Sequence, residues 1–212
     1  MRTSDFNYYL PEELIAQTPI EPRDHSKLML VERDQSAISH DRFFNLPKYL
    51  RQGDVLVFND SRVISARLYG SRDDTGNKIE LLLLSRLREG VWRALVRPGR
   101  RMRENDYFII HDRDGNKSEM TGQVLEVEES GSRIIKITNE FLIEDIGNVP
   151  LPPYIHEKVS DPERYQTIYA KSEGSVAAPT AGLHFTEELM SNIRDKGVLT
   201  EFVTLHVGWD SF

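Results

Sequence analysis

Residues 177–186 read Ala-Ala-Pro-Thr-Ala-Gly-Leu-His-Phe-Thr. Side chains this small let a ligand come close to the backbone. Thr186 opens a segment of helical pattern, whose first N–H groups carry partial positive charge and suit a carboxylate or a phosphate. The same run would serve as a tight corner between loop and helix, so local chemistry leaves both uses open. His184 lies inside the run and His206 lies on the apolar stretch that follows. A lone histidine on an apolar strand is usually a hydrogen-bonded core residue. Two that a loop and a strand bring near one another suit proton transfer close to neutral pH.

Three further groups have chemical potential. Asn59-Asp60-Ser61-Arg62 follows an apolar run, the position where polar residues line ligand crevices in α/β domains. Asp60 and Arg62 would also serve by pairing with each other at a domain junction. Tyr154, Tyr165 and Tyr169 surround Arg164 and Gln166, a mixture that stacks on unpaired bases or caps a core. Arg93, Arg97, Arg100, Arg101 and Arg103 form a basic run in a chain of formal net charge −7. That net charge speaks against coating nucleic acid by bulk attraction, though not against a local basic contact. No HExxH, P-loop or GxGxxG pattern occurs, and there is no cysteine, so thiolate catalysis and Cys-based zinc sites are excluded.

These residues must be held by elements the sequence also suggests. Residues 54–60 and 201–207 read as buried strands. Pro11 opens a short helix over 12–17, Asp41 caps a short turn and Pro47 stops it from lengthening. Between residues 61 and 139 about six short β-like runs alternate with Gly, Asn and Asp turns, the signature of a small antiparallel barrel. Asn139 caps a short helix that ends before Gly147. Thr186 caps the clearest helix, with Glu187 and Glu188 in its first turn, a Leu189, Met190 and Ile193 face, and Gly197 beyond its end. The expected fold is a three-layer α/β core domain, incomplete here and formed by residues 1–60 and 150–212. An antiparallel β-barrel domain of about six strands, residues 61–149, is inserted into it. The longest aliphatic run, residues 81–84, is far too short for a membrane span, and the N-terminus has no apolar signal core, so a cytoplasmic protein is expected.

Leu10-Pro11-Glu12-Glu13-Leu14-Ile15-Ala16 with Arg23 and Ser26, Asn59 to Ile64 with Ala66-Arg67-Leu68, Pro150-Leu151-Pro152-Pro153-Tyr154-Ile155, Glu163-Arg164-Tyr165-Gln166-Thr167 with Tyr169, residues 177–186, and Phe202 to Gly208 occur in this order. Together they resemble the S-adenosylmethionine:tRNA ribosyltransferase-isomerase family over essentially the whole chain. The resemblance implies an α/β core with a barrel inserted after residues 59–63. It also implies a reaction: the ribosyl part of S-adenosylmethionine moves to 7-aminomethyl-7-deazaguanine at the tRNA wobble position and is isomerised, giving epoxyqueuosine, adenine and methionine. S-adenosylmethionine would then be a consumed substrate, with no cofactor and no metal. The implied partners are that tRNA and S-adenosylmethionine, with no membrane, and the protein would be a monomer.

On that resemblance His184 and His206 are the candidate catalytic residues. Asn59, Arg62, Tyr154, Arg164, Tyr165, Thr180, Ala181 and Gly182 are candidates for substrate binding, and Arg97, Arg100, Arg101 and Arg103 for tRNA contact. Two departures stand out. Ser65 occupies a position where the family usually has proline, and Trp209-Asp210-Ser211-Phe212 replaces a Leu-Gly-Thr-Phe type run. Family members continue well beyond this point, so the chain is expected to be a piece of a longer protein or a truncated gene product, with unpaired strand edges and exposed apolar surface. A non-catalytic tRNA-binding part is the alternative function. A methyltransferase is a third, which the missing Gly-rich loop disfavours.

Overall fold

Proline keeps the elements of the N-terminal segment short. In the computed structural model, which describes residues 1–33, 37–157 and 161–209, single 3-10 turns stand at Thr3–Phe6, Glu12–Leu14 and Arg23–His25. The helix expected over 12–17 is cut to one 3-10 turn, Glu12–Leu14, with Ile15 already extended. Strands β1 (Lys27–Glu32) and β2 (Ala37–Arg42) form an antiparallel hairpin. A longer 3-10 segment, Phe43–Tyr49, follows and contains Pro47. Asp41 anchors it, accepting from Arg42 N at 2.7 Å, Asn45 Nδ2 at 2.7 Å and Tyr49 Oη at 2.6 Å.

Strand β3 (Val55–Asn59) leads into the short β4 (Ser61–Val63). The chain then enters β5 (Arg67–Arg72), β6 (Lys78–Arg88), β7 (Val91–Arg97), β8 (Tyr107–His111), β9 (Lys117–Val127) and β10 (Arg133–Ile137). These six close into an antiparallel barrel in the order β10-β7-β6-β5-β8-β9. Closure leaves no free edge and fills the interior with side chains such as Leu68, Leu81, Leu83, Phe108, Ile110, Met120 and Ile135, all fully buried. Each contributes about 1.5–3 kcal/mol by leaving water. Asn139 precedes a 3-10 turn that passes into α1 (Ile143–Ile146), and Gly147 ends it.

The chain returns through β11 (Ser172–Ser175), α2 (Glu187–Asp195) and β12 (Leu199–Val203). β11 pairs in parallel with β4, and β12 in parallel with β3. Parallel strand pairs with a crossover helix, joined to a closed six-stranded barrel, give the expected fold class. Thr186 caps α2 through its hydroxyl, which accepts from Leu189 N at 3.1 Å. Leu189, Met190 and Ile193 are buried on one helix face. They pack with Phe43, Phe58, Phe185 and Val198 in a second core, distinct from the barrel core.

One expectation is corrected. β3 and β12 are strands, but β12 ends at Val203, leaving 204–207 and His206 outside it, and neither strand is buried: Val57 is 61% exposed, Leu199 56% and Val203 41%, while Phe58 alone of β3 is enclosed. The helix side covers one face, and among the described residues nothing covers the other face or pairs with the outer edges. The expected exposed apolar surface is therefore present here. The Ser65 departure has a physical use: its N–H and its hydroxyl both donate to Glu144, at 3.1 and 3.0 Å. Proline has no N–H to donate. Residues 210–212, part of the other departure, lie outside the described residues.

Candidate active site

The segment from Ser175 to Phe185 runs between the two cores. Val176 packs in the barrel cluster and Phe185 in the α2 cluster. Polar groups at the strand ends hold it in place. Ser175 Oγ donates to Ser61 Oγ at 2.7 Å and accepts from Val207 N at 3.0 Å. The Gln166 side chain acts as a strand partner for Val63, accepting from its N–H at 3.0 Å and donating to its carbonyl at 2.7 Å. Asn59 does the same for Leu205, with bonds of 2.8 and 3.0 Å. Each replaces missing backbone pairing where the chain leaves a strand.

Between these supports lies a cleft of about 610 Å3, within the range of small-molecule sites. Its walls are largely apolar and aromatic: Phe43, Leu56, Phe58, Tyr169, Ala177, Ala178 and Phe185. Asn59, Tyr154, Thr180, Ala181 and Gly182, from the expected substrate-binding set, all line it. Gly182 has to be glycine here. A Cβ would run into the Tyr169 hydroxyl and come within 2.9 Å of Thr167 Cγ2. Burial pushes the Tyr169 phenol up to about 12, so it remains a hydrogen-bond donor at neutral pH.

The other expected residues are placed differently. His184 ends the 3-10 turn Thr180–His184, beside cleft residues Gly182 and Phe185. Its Nδ1 is 2.9 Å from Ser26 Oγ, and its ring lies 5.2 Å from that of Phe43. Burial, with the Arg164 charge second, lowers its pKa below the ordinary histidine value, so the imidazole is neutral at pH 7. His206 is exposed, with its ring lying over Gly174 next to the cleft residue Val207. Arg62 pairs with Glu163, and Arg164 with Glu21; neither lines the cleft. Asp60 accepts from Thr204 Oγ1 at 2.7 Å instead of pairing with Arg62. The Tyr165 hydroxyl is buried against the Ala178 backbone without a well-formed hydrogen bond, and burial pushes it up to about 12. Arg97, Arg100, Arg101 and Arg103 are exposed at one end of the barrel. Among the described residues, no cluster of three His, Asp or Glu side chains is arranged to hold a metal ion, and no helix is long and apolar enough to cross a membrane.

Sequence reasoning did not assign roles to Ser26, Phe43 or Thr167. Ser26 meets His184 across 158 positions, a proximity no local pattern carries. Thr167 is buried with an unpartnered hydroxyl beneath Gly182. Its place beside Gln166 in a block of polar and aromatic residues was the available signal.

A family model described as queuosine biosynthesis protein matches residues 3–212. Two curated relatives called S-adenosylmethionine:tRNA ribosyltransferase-isomerase come from Dehalococcoides mccartyi strain CBDB1 and Caldanaerobacter subterraneus subsp. tengcongensis. Each is 49% identical over the whole of this chain and is covered over 62% of its own length. The chain thus spans about three-fifths of the length of these relatives. A crystal structure of S-adenosylmethionine tRNA ribosyltransferase from Thermotoga maritima is 38% identical, covering 96% of this chain and 58% of that one, with a TM-score of 0.39. With nearly every residue inside the family match, the chain belongs to the queuosine biosynthesis protein family.

Proposed function

We propose that this chain is the part of an S-adenosylmethionine:tRNA ribosyltransferase-isomerase that supplies one wall of the nucleoside site and a tRNA-facing barrel. The supporting observation is the cleft walled by residues 177–182, in a chain 49% identical throughout to proteins of that name. In this reading the ribosyl group of S-adenosylmethionine passes to 7-aminomethyl-7-deazaguanine at the wobble position and is rearranged. The products are epoxyqueuosine-tRNA, adenine and methionine. S-adenosylmethionine is consumed, and no other cofactor takes part. We place the protein in the cytoplasm as a monomer, with residues 1–60 and 150–212 as the α/β domain and 61–149 as the barrel domain.

A sulfonium is a soft cation, and the aromatic faces of Phe58, Tyr154 and Tyr169 suit it. Their apolar neighbours exclude water that would hydrolyse reactive intermediates. The exposed Thr180 and Ala181, beside the buried Gly182, take the polar parts of the nucleoside. A base must remove the proton from the sugar carbon beside sulfur. His184 is suited because it is neutral at working pH. The Ser26 hydroxyl donates to the Arg23 carbonyl at 3.1 Å, which leaves Ser26 Oγ as acceptor for His184 Nδ1–H and frees Nε2 to take the proton. Protonated Tyr169 is the nearby donor that assists adenine departure. His206 is the second candidate for proton handling. Arg62 and Arg164 act mainly by fixing Glu163 and Glu21 around the site. Arg97, Arg100, Arg101 and Arg103 face the tRNA.

The test is incubation of the complete protein with substrate tRNA and S-adenosylmethionine. Adenine release supports the reading. S-adenosylhomocysteine would overturn it in favour of methyl transfer, and tight tRNA binding without turnover would overturn it in favour of a binding module.

A further inference from the structure

The link between β7 and β8 turns through the 3-10 segment Gly99–Arg101. With the β5–β6 turn it encloses a second cleft of about 370 Å3, lined by Arg72, Thr75, Asn77, Arg100, Arg101, Arg103 and Asp106. The backbone of this link is held from below. Arg133, almost wholly buried, donates to the Gly99 carbonyl at 2.6 Å and to the Gly131 carbonyl. Arg72 pairs with Asp74 at 2.7 Å and Asp106 at 3.1 Å, and donates to the Arg101 carbonyl. Asp106 also accepts from Arg103 N at 2.6 Å. Arg72 and Asp106 therefore neutralise each other and brace the wall.

The side chains of Arg100, Arg101 and Arg103 are used differently. They are exposed and have no carboxylate partner among the described residues. Six other arginines, Arg62, Arg67, Arg72, Arg86, Arg93 and Arg164, each meet an acid; what sets these three apart is that they gather, exposed, on one cleft. The three guanidinium groups line one cleft over a fixed backbone, so an anion there meets cationic partners from several residues at once. Phosphate oxygens match the guanidinium fork. Asn77 and Thr75 form a neutral part of the rim, the Asn77 amide donating to Thr75 Oγ1 at 3.0 Å.

We infer that this cleft is a phosphodiester site that grips the RNA backbone and sets how the tRNA lies on the barrel. The inference rests on the tRNA reading above and deepens it. Arg97 stands outside the cleft, at the end of β7 opposite Glu80, and Arg93 pairs with Glu128, so the basic run divides into three gripping arginines, one flanking one and one held by an acid. Such contacts position RNA without reading its sequence.

The experiment is equilibrium binding of an anticodon-arm RNA hairpin to the complete protein across a salt series, without S-adenosylmethionine. Arg101→Gln is expected to weaken binding about tenfold and to flatten the log K against log salt slope by about one unit. The triple change of Arg100, Arg101 and Arg103 to Gln should flatten it by about two to three units. A triple change to Lys should restore most of the slope, which a purely structural defect would not allow. All three side chains are exposed, and unchanged melting temperatures will verify folding. Unaltered affinity and slope in the Gln variants would overturn the site. Inorganic phosphate bound at the cleft, with RNA binding indifferent to the variants, would overturn it in favour of a small-anion site. Because no turnover is needed, a wild-type protein that grips RNA through these arginines yet releases no adenine refutes the transferase reading and leaves this site standing.

Discussion

The barrel and the parallel-strand region solve the edge problem of a β-sheet in opposite ways. In the barrel every strand has a neighbour on both sides, and residues such as Leu81, Ala94 and Ile110 are fully enclosed. In the parallel region each sheet has two strands, with apolar side chains of β3 and β12 in water. The Gln166 side chain supplies at the edge of β4 the pairing that a third strand would otherwise provide. The barrel is closed on itself. The parallel region is open, and the nucleoside-sized cleft lies there. A site needs unpaired backbone and accessible surface, and a closed barrel interior has neither.

The comparison is broken most readily in the cores. Phe108→Ala, inside the barrel, is expected to cost about 3–5 kcal/mol, measured by chemical denaturation of this 212-residue chain. Val57→Ala, on the open face of β3, should change stability by less than about 0.5 kcal/mol. Equal costs at the two positions would mean that the open face is covered in solution.

The next effect concerns the open region's chemistry. His184→Ala in the complete protein should lower adenine release by about 10²–10⁴-fold, the usual worth of a positioned base. The wild-type rate should fall on the acid side only below the ordinary histidine value, because burial and the Arg164 charge both disfavour the imidazolium. Arg164→Gln removes the second of these causes, so His184 takes up its proton at higher pH. The acid limb should move upward in that variant, and a limb that stays put would remove His184 from the rate-determining proton transfer.

Smaller effects probe the supports. Gly174 has φ +135°, and the His206 ring lies 2.8 Å from where a Cβ would stand. Gly174→Ala should therefore cost about 1–3 kcal/mol and displace His206, seen as a changed imidazole chemical shift. Thr186→Ala removes the cap of α2 and the bond to Asp24 at 3.1 Å. It should cost about 1 kcal/mol, read as a lower melting temperature.

Local chemistry made much of this legible. Thr186, the acidic first turn and Gly197 specify α2 without reference to anything distant. Turn residues at short intervals specify the barrel hairpins, and the small residues at 177–182 do form a cleft wall. The apolar runs at 54–60 and 201–207 misled on burial, and the second also on extent, since β12 ends at Val203. Composition gives a strand but not how many layers lie over it, and burial depends on neighbours contributed from elsewhere.

The sequence by itself determined that residues 61–139 form a barrel of about six strands, that α2 begins after Thr186, and the family. Those properties follow from backbone preference, side-chain periodicity and motifs read along the chain. Only the tertiary structure decided that Ser26 meets His184, that Glu163 and Glu21 occupy Arg62 and Arg164, and that Arg100, Arg101 and Arg103 are left without acids. Each is a pairing between residues that folding brings together or keeps apart. Charge and hydrogen-bond chemistry depend on distance in space, which the linear spacing of residues does not encode.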